Sequence, residues 1–331
     1  MRKSMALYLG IDTSAYTTSL AIVDDQATLV YENRKVLAVP QGERGLAQSA
    51  ALFQHVQNLP QLVTAVPQEY WGEIAAIGVS TAPRPLKESY MPVFTPGFGV
   101  ASAMAAARCI PLVLTSHQEG HLAAGLISSK LSGTRFLAVH ISGGTTELLE
   151  VQRHLPGQMD IRILGGTTDL HAGQFIDRVG VRLGLPFPAG NSLEALASQA
   201  NPEAATWLPS AVKGFEVSFS GVESAAQRLI DQGKEPADVA RAVEGCIVRT
   251  LTKLLKAGTE KTGIKEILIV GGVASNRYIR QELERRLAKV GNFHWALPNW
   301  SRDNAIGVAV LTLEKTKGNF LEAGNLTNHI E

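Results

Sequence analysis

Short apolar runs separated by turns of serine, glycine and threonine dominate the first half of the chain. The segment LGIDTSAYTTSLAIV (9–23) alternates strand, polar turn and strand, which is the pattern of a β-hairpin. It aligns without a gap on LAVHISGGTTELLEV (137–151), and a further β-like run follows each segment. Two copies of one hairpin-led unit predict two similar lobes with a cleft between them. The alternative is a chance coincidence of two short hairpins.

Strand and helix patterns alternate in the rest of the chain. GEIAAIGVS (72–80) predicts a strand, and ASAMAAARCIPLVLTS (101–116) predicts a helix followed by a strand. RQELERRLAKV (280–290) has apolar residues at helical spacing and predicts another helix. The stretch 80–99 is rich in proline and glycine and predicts a long loop. The alternation as a whole predicts an α/β fold with helix-covered sheets.

Composition narrows the functional class without identifying it. The 331 residues, 45% of them apolar and 18% charged, suffice for two hydrophobic cores. A formal net charge of +1 gives no global sign of nucleic-acid binding. No apolar run approaches the roughly 20 residues that a membrane helix needs. The two cysteines are far apart and form no motif, so we expect a cytoplasmic protein without a membrane association.

Two turns have the composition of phosphate-binding sites. SGGTT (142–146) follows an apolar strand, and its glycines allow successive N–H groups to surround an anion. LIVGGVASNR (268–277) has a strand, paired glycines and a helix start, where a helix N-terminus favours an anion. Each turn by itself could be only a turn, and Asn276 could equally be a helix cap.

A third candidate lies in the segment HAGQFIDRVGVRLGLPFPAGN (171–191). Asp177 on its helix could accept hydrogen bonds from ribose hydroxyls. Gly190, after a proline-rich turn, could bring the backbone close to the same ligand. The alternative is an exposed helix carboxylate.

A metal site is predicted from histidine spacing in SHQEGHLAAGL (116–126). His117 and His121 are four residues apart, so a helix places both imidazoles on one face. The glutamate at the third position of HQEGH excludes the signatures of the known zinc peptidases. Asp303 is the candidate third ligand, because it is expected to open the last helix. Two histidines and a carboxylate suit iron(II) or zinc; the alternative is a pair of exposed histidines.

Taken together, these segments resemble the TsaD family, whose members transfer a threonylcarbamoyl group to adenosine 37 of tRNA. The family was formerly described as O-sialoglycoprotein endopeptidases of peptidase class M22. The resemblance extends from Leu9 to about Val310. Its motifs occur in order along the chain as GIDTS (10–14), HQEGH (117–121), SGGTT (142–146), AGQFIDRVGVRLGLPFPAG (172–190), VSFSG (217–221), GGVASNR (271–277) and RDNA (302–305).

The resemblance implies an α/β, two-lobed fold of the actin-like ATPase (ASKHA) superfamily, with duplicated ribonuclease-H-like lobes around a central cleft. We expect residues 1–115 to form the first lobe, joined by a C-terminal helix over 304–325. Residues 116–303 then form the second lobe, with the metal and nucleotide motifs.

The resemblance also implies the cofactors. Fe²⁺ or Zn²⁺ would be held by His117, His121 and Asp303. An adenine nucleotide (ATP, AMP or threonylcarbamoyl-adenylate) would lie in the cleft. The residues implied for the nucleotide are His140, Ile141, Ser142, Gly143, Gly144, Asp177, Gly190, Gly272 and Asn276. The implied partners are TsaB- or TsaE-like proteins, a homo- or heterodimer, and tRNA.

The chain departs from the family where acyl groups are handled. The family pattern TSCDET has an acidic pair, but this chain has Ala15, Tyr16 and Thr17 there and lacks both carboxylates. The family's glycine-rich segment is replaced by APRPLKESYMPVFTPGFGVA (82–101), which contains Arg84. No catalytic side chain is therefore assigned. Two hypotheses remain open: a threonylcarbamoyl or carbamoyl transferase, and a catalytically silent paralogue that binds nucleotide or metal and regulates or scaffolds a partner.

Overall fold

The structure is a computed structural model, and some of the predicted features lie outside its described part. It describes residues 5–14, 16–40, 45–129, 131–301 and 303–318. Ala15 of the first hairpin turn lies outside the described residues, as does Arg302 of the RDNA motif. The expected C-terminal helix over 304–325 can be followed only to residue 318.

The first sheet has five strands in the spatial order β3-β2-β1-β4-β5. They are β1 (Leu7–Thr13), β2 (Thr17–Val23), β3 (Leu29–Val36), β4 (Ile74–Ala82) and β5 (Leu112–Ser116). The first three strands pair antiparallel, and β4 and β5 continue in parallel. Every residue of β1 and β2 is buried, so helices cover the centre of this sheet on both faces.

The second sheet has seven strands in the order β12-β11-β6-β7-β8-β10-β9. They are β6 (Arg135–Ile141), β7 (Thr146–Leu155), β8 (Gln158–Thr167), β9 (Val212–Lys213), β10 (Glu216–Val217), β11 (Glu266–Val270) and β12 (Asn292–Trp295). Strands β6, β7 and β8 repeat the antiparallel order of β1, β2 and β3. The two hairpins aligned in the sequence are therefore both present, and the predicted duplication is confirmed.

Helices separate and cover the two sheets. The helices are α1 (Gln48–Thr64), α2 (Gln68–Trp71), α3 (Thr95–Arg108), α4 (His117–Ser128), α5 (Ala172–Arg182), α6 (Gly190–Ala197), α7 (Ser220–Asp231), α8 (Pro236–Thr262), α9 (Arg277–Leu287), α10 (Pro298–Ser301) and α11 (Ile306–Lys317). One core joins α1 and α3 to the first sheet, and another joins α5 to α9 to the second. Within the described residues, no helix combines the length and apolarity needed to cross a bilayer.

Helices α4 and α11 form a layer between the two sheets. Their shared core takes Tyr8 and Ala76 from the first sheet and Phe136 and Leu268 from the second. The backbones of the two helices are in close contact at Gly307, because a Cβ added there would overlap the backbone of α4. This contact fixes the start of α4 relative to the residues that precede α11. The lobe bounds 1–115 and 116–303 remain a prediction.

The loop predicted over 80–99 is wrong at both ends. Strand β4 continues to Ala82, a 3₁₀ turn occupies Pro92–Phe94, and α3 begins at Thr95. Pro96 does not prevent the helix, because the N–H groups of a first helical turn need no intrahelical partner.

The last helix also begins later than the sequence predicted. It starts at Ile306, with Asn304 Oδ1 accepting from the N–H of Ile306, so Asp303 lies in the preceding turn. Asp303 is therefore held by the turn that leads into the helix, not by the helix itself. The helix predicted over 280–290 is present as α9.

Candidate metal and nucleotide site

The first two turns of α4 carry both histidines of the HQEGH motif. Ser116 caps the helix, accepting from the N–H of Glu119 at 3.2 Å, and Glu119 accepts from the N–H of Ser116 at 2.8 Å. This capping box fixes the turn. It also engages the glutamate of the motif in a structural role. The i,i+4 spacing places the rings of His117 and His121 with centroids 4.5 Å apart.

Asp303 meets the two imidazoles at the same point. Its Oδ1 lies 3.2 Å from Nε2 of His121 and 3.6 Å from Nε2 of His117. The possible ligand atoms of the three residues all lie within 4.8 Å of one another. The structure thus brings together the three residues that the sequence singled out as metal ligands.

Asp12 completes this cluster, although reasoning from the sequence assigned it no role. It is fully buried in β1, and its Oδ1 accepts from Nδ1 of His117 at 3.1 Å and from the hydroxyl of Ser80. A carboxylate on Nδ1 fixes the tautomer and directs Nε2 towards Asp303, the usual arrangement behind a metal-bound histidine. A charged residue inside an otherwise buried strand is the sequence signal that could have identified it.

The charges of the cluster favour a cation. Burial lowers the pKa of His117, but the carboxylates of Asp12 and Asp303 outweigh burial and raise that pKa to about 10. Burial and the charge on His117 lower the pKa of His121. Without a metal, the cluster therefore holds one proton between two carboxylates, and a divalent ion would displace it. Two imidazoles and a carboxylate fit Fe²⁺ or Zn²⁺.

We expect Asp12→Asn to weaken Zn²⁺ binding about 10- to 100-fold, because the amide no longer orients His117. Protons compete with the metal for His117 below its pKa of about 10, so the wild-type affinity should rise with pH across the neutral range. Asp12→Asn lowers the pKa of His117, so the Zn²⁺ affinity of this variant should depend less on pH. Competition with a fluorescent chelator from about pH 6 to 9 measures both effects.

The matched control is Asp160→Asn, since Asp160 pairs with His154 at 2.9 Å on the exposed surface. It should leave the affinity and its pH dependence unchanged. Equal affinities for wild type and Asp12→Asn at every pH would exclude the orienting role.

His140 lies beside the metal cluster. It is buried at the end of β6, its ring centroid is 4.6 Å from that of His121, and neither ring nitrogen has a hydrogen-bond partner among the described residues. Burial and the neighbouring His121 hold its pKa well below the ordinary value, so the ring is neutral. The structure thus places the side chain beside the metal cluster, and the nucleotide contact that the family resemblance implied stays a prediction.

The SGGTT turn joins β6 to β7 next to His140. Ser142 donates its N–H to Thr145 O at 2.8 Å, and Gly144 donates to the hydroxyl of Ser142 at 3.3 Å. No described atom would lie within 4 Å of a Cβ on Gly143 or Gly144, so the outer side of the turn is open. The start of α5 packs against it, since Gly173 donates its N–H to Ser142 O at 3.1 Å. Open backbone beside a helix N-terminus can bind an anion.

Asp177 and Gly190 are linked through Ala189, and a Cβ added to Gly190 would meet no described atom within 4 Å. Asp177 Oδ1 accepts from the N–H of Ala189 at 2.7 Å, directly before Gly190. Burial raises the pKa of Asp177 to about 6 although this hydrogen bond lowers it. The carboxylate of Asp177 is therefore partly buried and connects α5 to the start of α6. It is not the exposed helix carboxylate that was the alternative.

Asn276 is a helix cap. Its Oδ1 accepts from the N–H of Ile279 at 2.9 Å, and its amide group donates to Glu244 Oε1 at 2.6 Å. Glu244 is a buried residue of α8 that the sequence did not single out; burial raises its pKa to about 7. The preceding Gly272 is open, since a Cβ added there would meet no described atom within 4 Å. Whether Gly272 and Asn276 contact a nucleotide stays a prediction.

Tyr16 extends across the cleft from the first hairpin. Its ring centroid lies 6.0 Å from that of Phe187, in the turn before Gly190. Thr17 is buried at the start of β2. An aromatic pair thus occupies the part of the hairpin turn where the related family pattern has acidic residues.

The chain matches a family model over residues 31–310, that of TsaD, tRNA N6-adenosine threonylcarbamoyltransferase. Among solved structures, full-length HypF in its phosphate- and nucleotide-bound form is similar with a TM-score of 0.59 and 12% identity. The similarity covers 99% of this chain and 48% of HypF, so the chain spans about half of that protein.

Two further solved structures are similar over nearly their whole length. Component A of (R)-2-hydroxyglutaryl-CoA dehydratase from Acidaminococcus fermentans has a TM-score of 0.54 and 14% identity, covering 94% of this chain and 99% of that one. The activator of 2-hydroxyisocaproyl-CoA dehydratase from Clostridium difficile, with bound ADPNP, has a TM-score of 0.53 and 14% identity. The similarity covers 94% of this chain and 96% of that one. At these identities the similarity establishes the fold, and the predicted two-lobed actin-like ATPase architecture is confirmed.

Proposed function

Because this chain belongs to the TsaD family of tRNA N6-adenosine threonylcarbamoyltransferases, we propose that it is a metal- and nucleotide-dependent transferase of threonylcarbamoyl or carbamoyl groups. The acceptor in this proposal is adenosine 37 of tRNA, and the donor is an acyl-adenylate. The partners are TsaB- or TsaE-like proteins, as in the family pattern that the sequence resembles.

One observation supports this proposal above the others. Nε2 of His117, Nε2 of His121 and the carboxylate of Asp303 meet at the start of α4, between the two sheets. The ring of His121 contacts His140, two residues before the SGGTT turn. A metal site and an open anion-binding turn in one cleft suit a substrate that carries both a phosphate and a reactive carbonyl. A divalent ion held by the three side chains would supply Lewis-acid polarisation of that carbonyl.

The protein's own contribution is orientation and charge. The backbone of Ser142, Gly143 and Gly144 would bind the phosphate of the adenylate. Asp177 and the open backbone at Gly190 would contact its ribose. Both contacts hold the acyl carbonyl in a fixed position for attack, which supplies much of the acceleration in such a reaction.

The reaction balances without a redox step. The exocyclic amine of the acceptor adenine forms a bond to the carbamoyl carbon, and the bond from that carbon to the phosphate oxygen breaks. AMP leaves with the electron pair, and the amine loses one proton to water. Asp12 keeps His117 oriented throughout, because its contact with Nδ1 does not involve the reacting atoms.

The direct test uses the purified protein loaded with Fe²⁺ or Zn²⁺. It is supplied with threonylcarbamoyl-adenylate, TsaB- and TsaE-like partners, and an ANN-decoding tRNA. We expect modified adenosine and AMP in equal amounts, and no product after chelation of the metal. Fully metallated protein that binds the adenylate but forms no modified tRNA would refute the transfer to tRNA.

A second function, that of a silent binding paralogue, is favoured by the first hairpin. Tyr16 packs on Phe187 where the family pattern has acidic residues, and Thr17 is buried. Such a protein would bind nucleotide and metal and would regulate or scaffold a partner, for example as a heterodimer. Calorimetric binding of nucleotide without turnover, in the presence of an active family member, would favour it over the transferase.

A further inference from the structure

Tyr16 projects from a hairpin turn that is tied to the first sheet. Its carbonyl oxygen accepts from the N–H of Leu37 at 2.8 Å. The imidazole of His55, fully buried in α1, donates from Nε2 to Ser14 O at 2.8 Å and accepts at Nδ1 from the hydroxyl of Thr18 at 2.8 Å. These contacts anchor the backbone of Tyr16 and of Ser14 to the first sheet and to α1.

Phe187 lies in the turn between α5 and α6, which is tied to α5. The N–H of Ala189 donates to Asp177 Oδ1 at 2.7 Å, and the N–H of Leu185 donates to Gly180 O at 2.9 Å. A Cβ added to Gly180 would overlap the Cβ of Ala189, so the turn and the helix are in close contact. The ring of Phe187 is therefore presented from a fixed turn beside Asp177.

The two rings meet between these anchored turns, with centroids 6.0 Å apart and planes tilted by 59°. Both side chains remain partly exposed. Tilted aromatic pairs attract each other through their ring quadrupoles in addition to the apolar area that they bury. Burial raises the pKa of the Tyr16 phenol, and the charges of Asp177 and of Asp303 also raise it. The aromatic pair thus spans the cleft between the carboxylate implied for the ribose and the metal cluster.

Two further contacts join the sheets near the metal cluster. The backbones of α4 and α11 are in close contact at Gly307. Arg84, in the loop after β4, forms an ion pair with the nearly buried Glu147 at the start of β7, and Gln118 donates to the same carboxylate at 2.7 Å. Gln118 directly follows His117, so both contacts hold the metal end of the cleft. The aromatic pair lies towards the implied ribose site instead, and its partly exposed rings can separate without unpacking a buried core.

We propose that the contact between Tyr16 and Phe187 is a clasp that closes the cleft over a bound nucleotide and must open for the nucleotide to enter or leave. This inference rests on the nucleotide binding of the proposed function and adds a gate to it. A clasp that forms equally in the free and the bound protein lets only the open fraction of molecules exchange ligand. It therefore lowers the association and dissociation rate constants by one common factor. An aromatic pair changes the open fraction about 2- to 10-fold.

Stopped-flow fluorescence on the full, metal-loaded chain tests the inference. The probe is etheno-AMP, whose ribose and phosphate are unmodified, and its release is followed after a chase with excess AMP. Tyr16→Ala should raise both rate constants by the same factor, about 2- to 10-fold, and leave the Kd of the probe within about twofold. Phe187→Ala should do the same, and the double variant should be no faster, because each substitution removes the same contact. Tyr16→Phe, which keeps the ring, should exchange the probe at the wild-type rates.

The matched control is Tyr70→Ala, since Tyr70 pairs with Tyr31 at a centroid distance of 6.4 Å away from the second sheet. It should leave both rate constants unchanged. Unchanged rate constants in Tyr16→Ala, or additive effects in the double variant, would overturn the inference. Faster dissociation alone, with weaker affinity, would also overturn it, because Tyr16 would then contact the nucleotide directly. Wild-type protein that binds neither etheno-AMP nor AMP in calorimetry would instead refute the nucleotide-dependent function itself.

Discussion

Asp303→Ala is expected to reduce bound metal from about one ion per chain to near zero and to abolish acyl transfer. Asp303 is the anionic one of the three candidate ligands, so its loss removes both a ligand and a charge that offsets the cation. The expected loss of Zn²⁺ affinity exceeds about 100-fold, more than for a residue that only orients a ligand. Metal analysis of dialysed protein and chelator competition measure the change.

The matched control is Asp231→Ala, which removes an aspartate from an exposed ion pair with Arg182 at 2.8 Å. It should bind metal as the wild type does. Circular dichroism should show the same secondary structure for both variants, because neither side chain belongs to a hydrophobic core. Wild-type metal content in Asp303→Ala would show that the three side chains are not the metal site.

Gly307→Ala is expected to destabilise the protein by about 3 kcal/mol or more and to weaken metal binding at the same time. A Cβ at this position of α11 would overlap the carbonyl oxygen of Gly120 and would lie 2.9 Å from the backbone nitrogen of Ala124. Both atoms belong to the backbone of α4, so relief requires the two helices to separate. Separation moves His117 and His121 away from Asp303.

Gly99→Ala is the matched control for this substitution. Gly99 lies inside α3, and no described atom would come within 4 Å of the added Cβ. Alanine there should stabilise the protein by about 0.5–1 kcal/mol, as in an unobstructed helix. Urea unfolding of the metal-free and metal-loaded proteins measures both variants. A Gly307→Ala protein that matches wild type in stability would show that the close helix contact is not required.

Several elements were predictable because their signals are local. A strand–turn–strand pattern needs only alternating apolar residues and turn-forming residues, and both hairpins were identified from it. Helix α9 was predicted from its apolar spacing. The loop prediction over 80–99 was wrong because proline and glycine suggest a break, although a first helical turn accepts proline and α3 also contains Gly97 and Gly99.

The residues of the site can likewise be divided into those that local sequence predicts and those that only tertiary structure brings together. Histidines four residues apart are placed together by any helix, so His117 and His121 could be paired from the sequence. Strand pairing places His140, which was named only through the family resemblance, beside His121. Helix packing brings in Glu244, and nothing in its immediate neighbours in the sequence marks it. The ion pair of Arg84 with Glu147 depends equally on how a loop of one sheet meets a strand of the other.

The sequence by itself determined the hairpin duplication, the helix that carries the two histidines, and the order of the family motifs. Only the tertiary structure decided that Asp303, 182 positions after His121, lies 3.2 Å from it. The physical reason is that local hydrogen bonding and hydrophobic periodicity specify single elements. The approach of α4 to α11 instead depends on close packing at Gly120 and Gly307, which is a property of the folded chain.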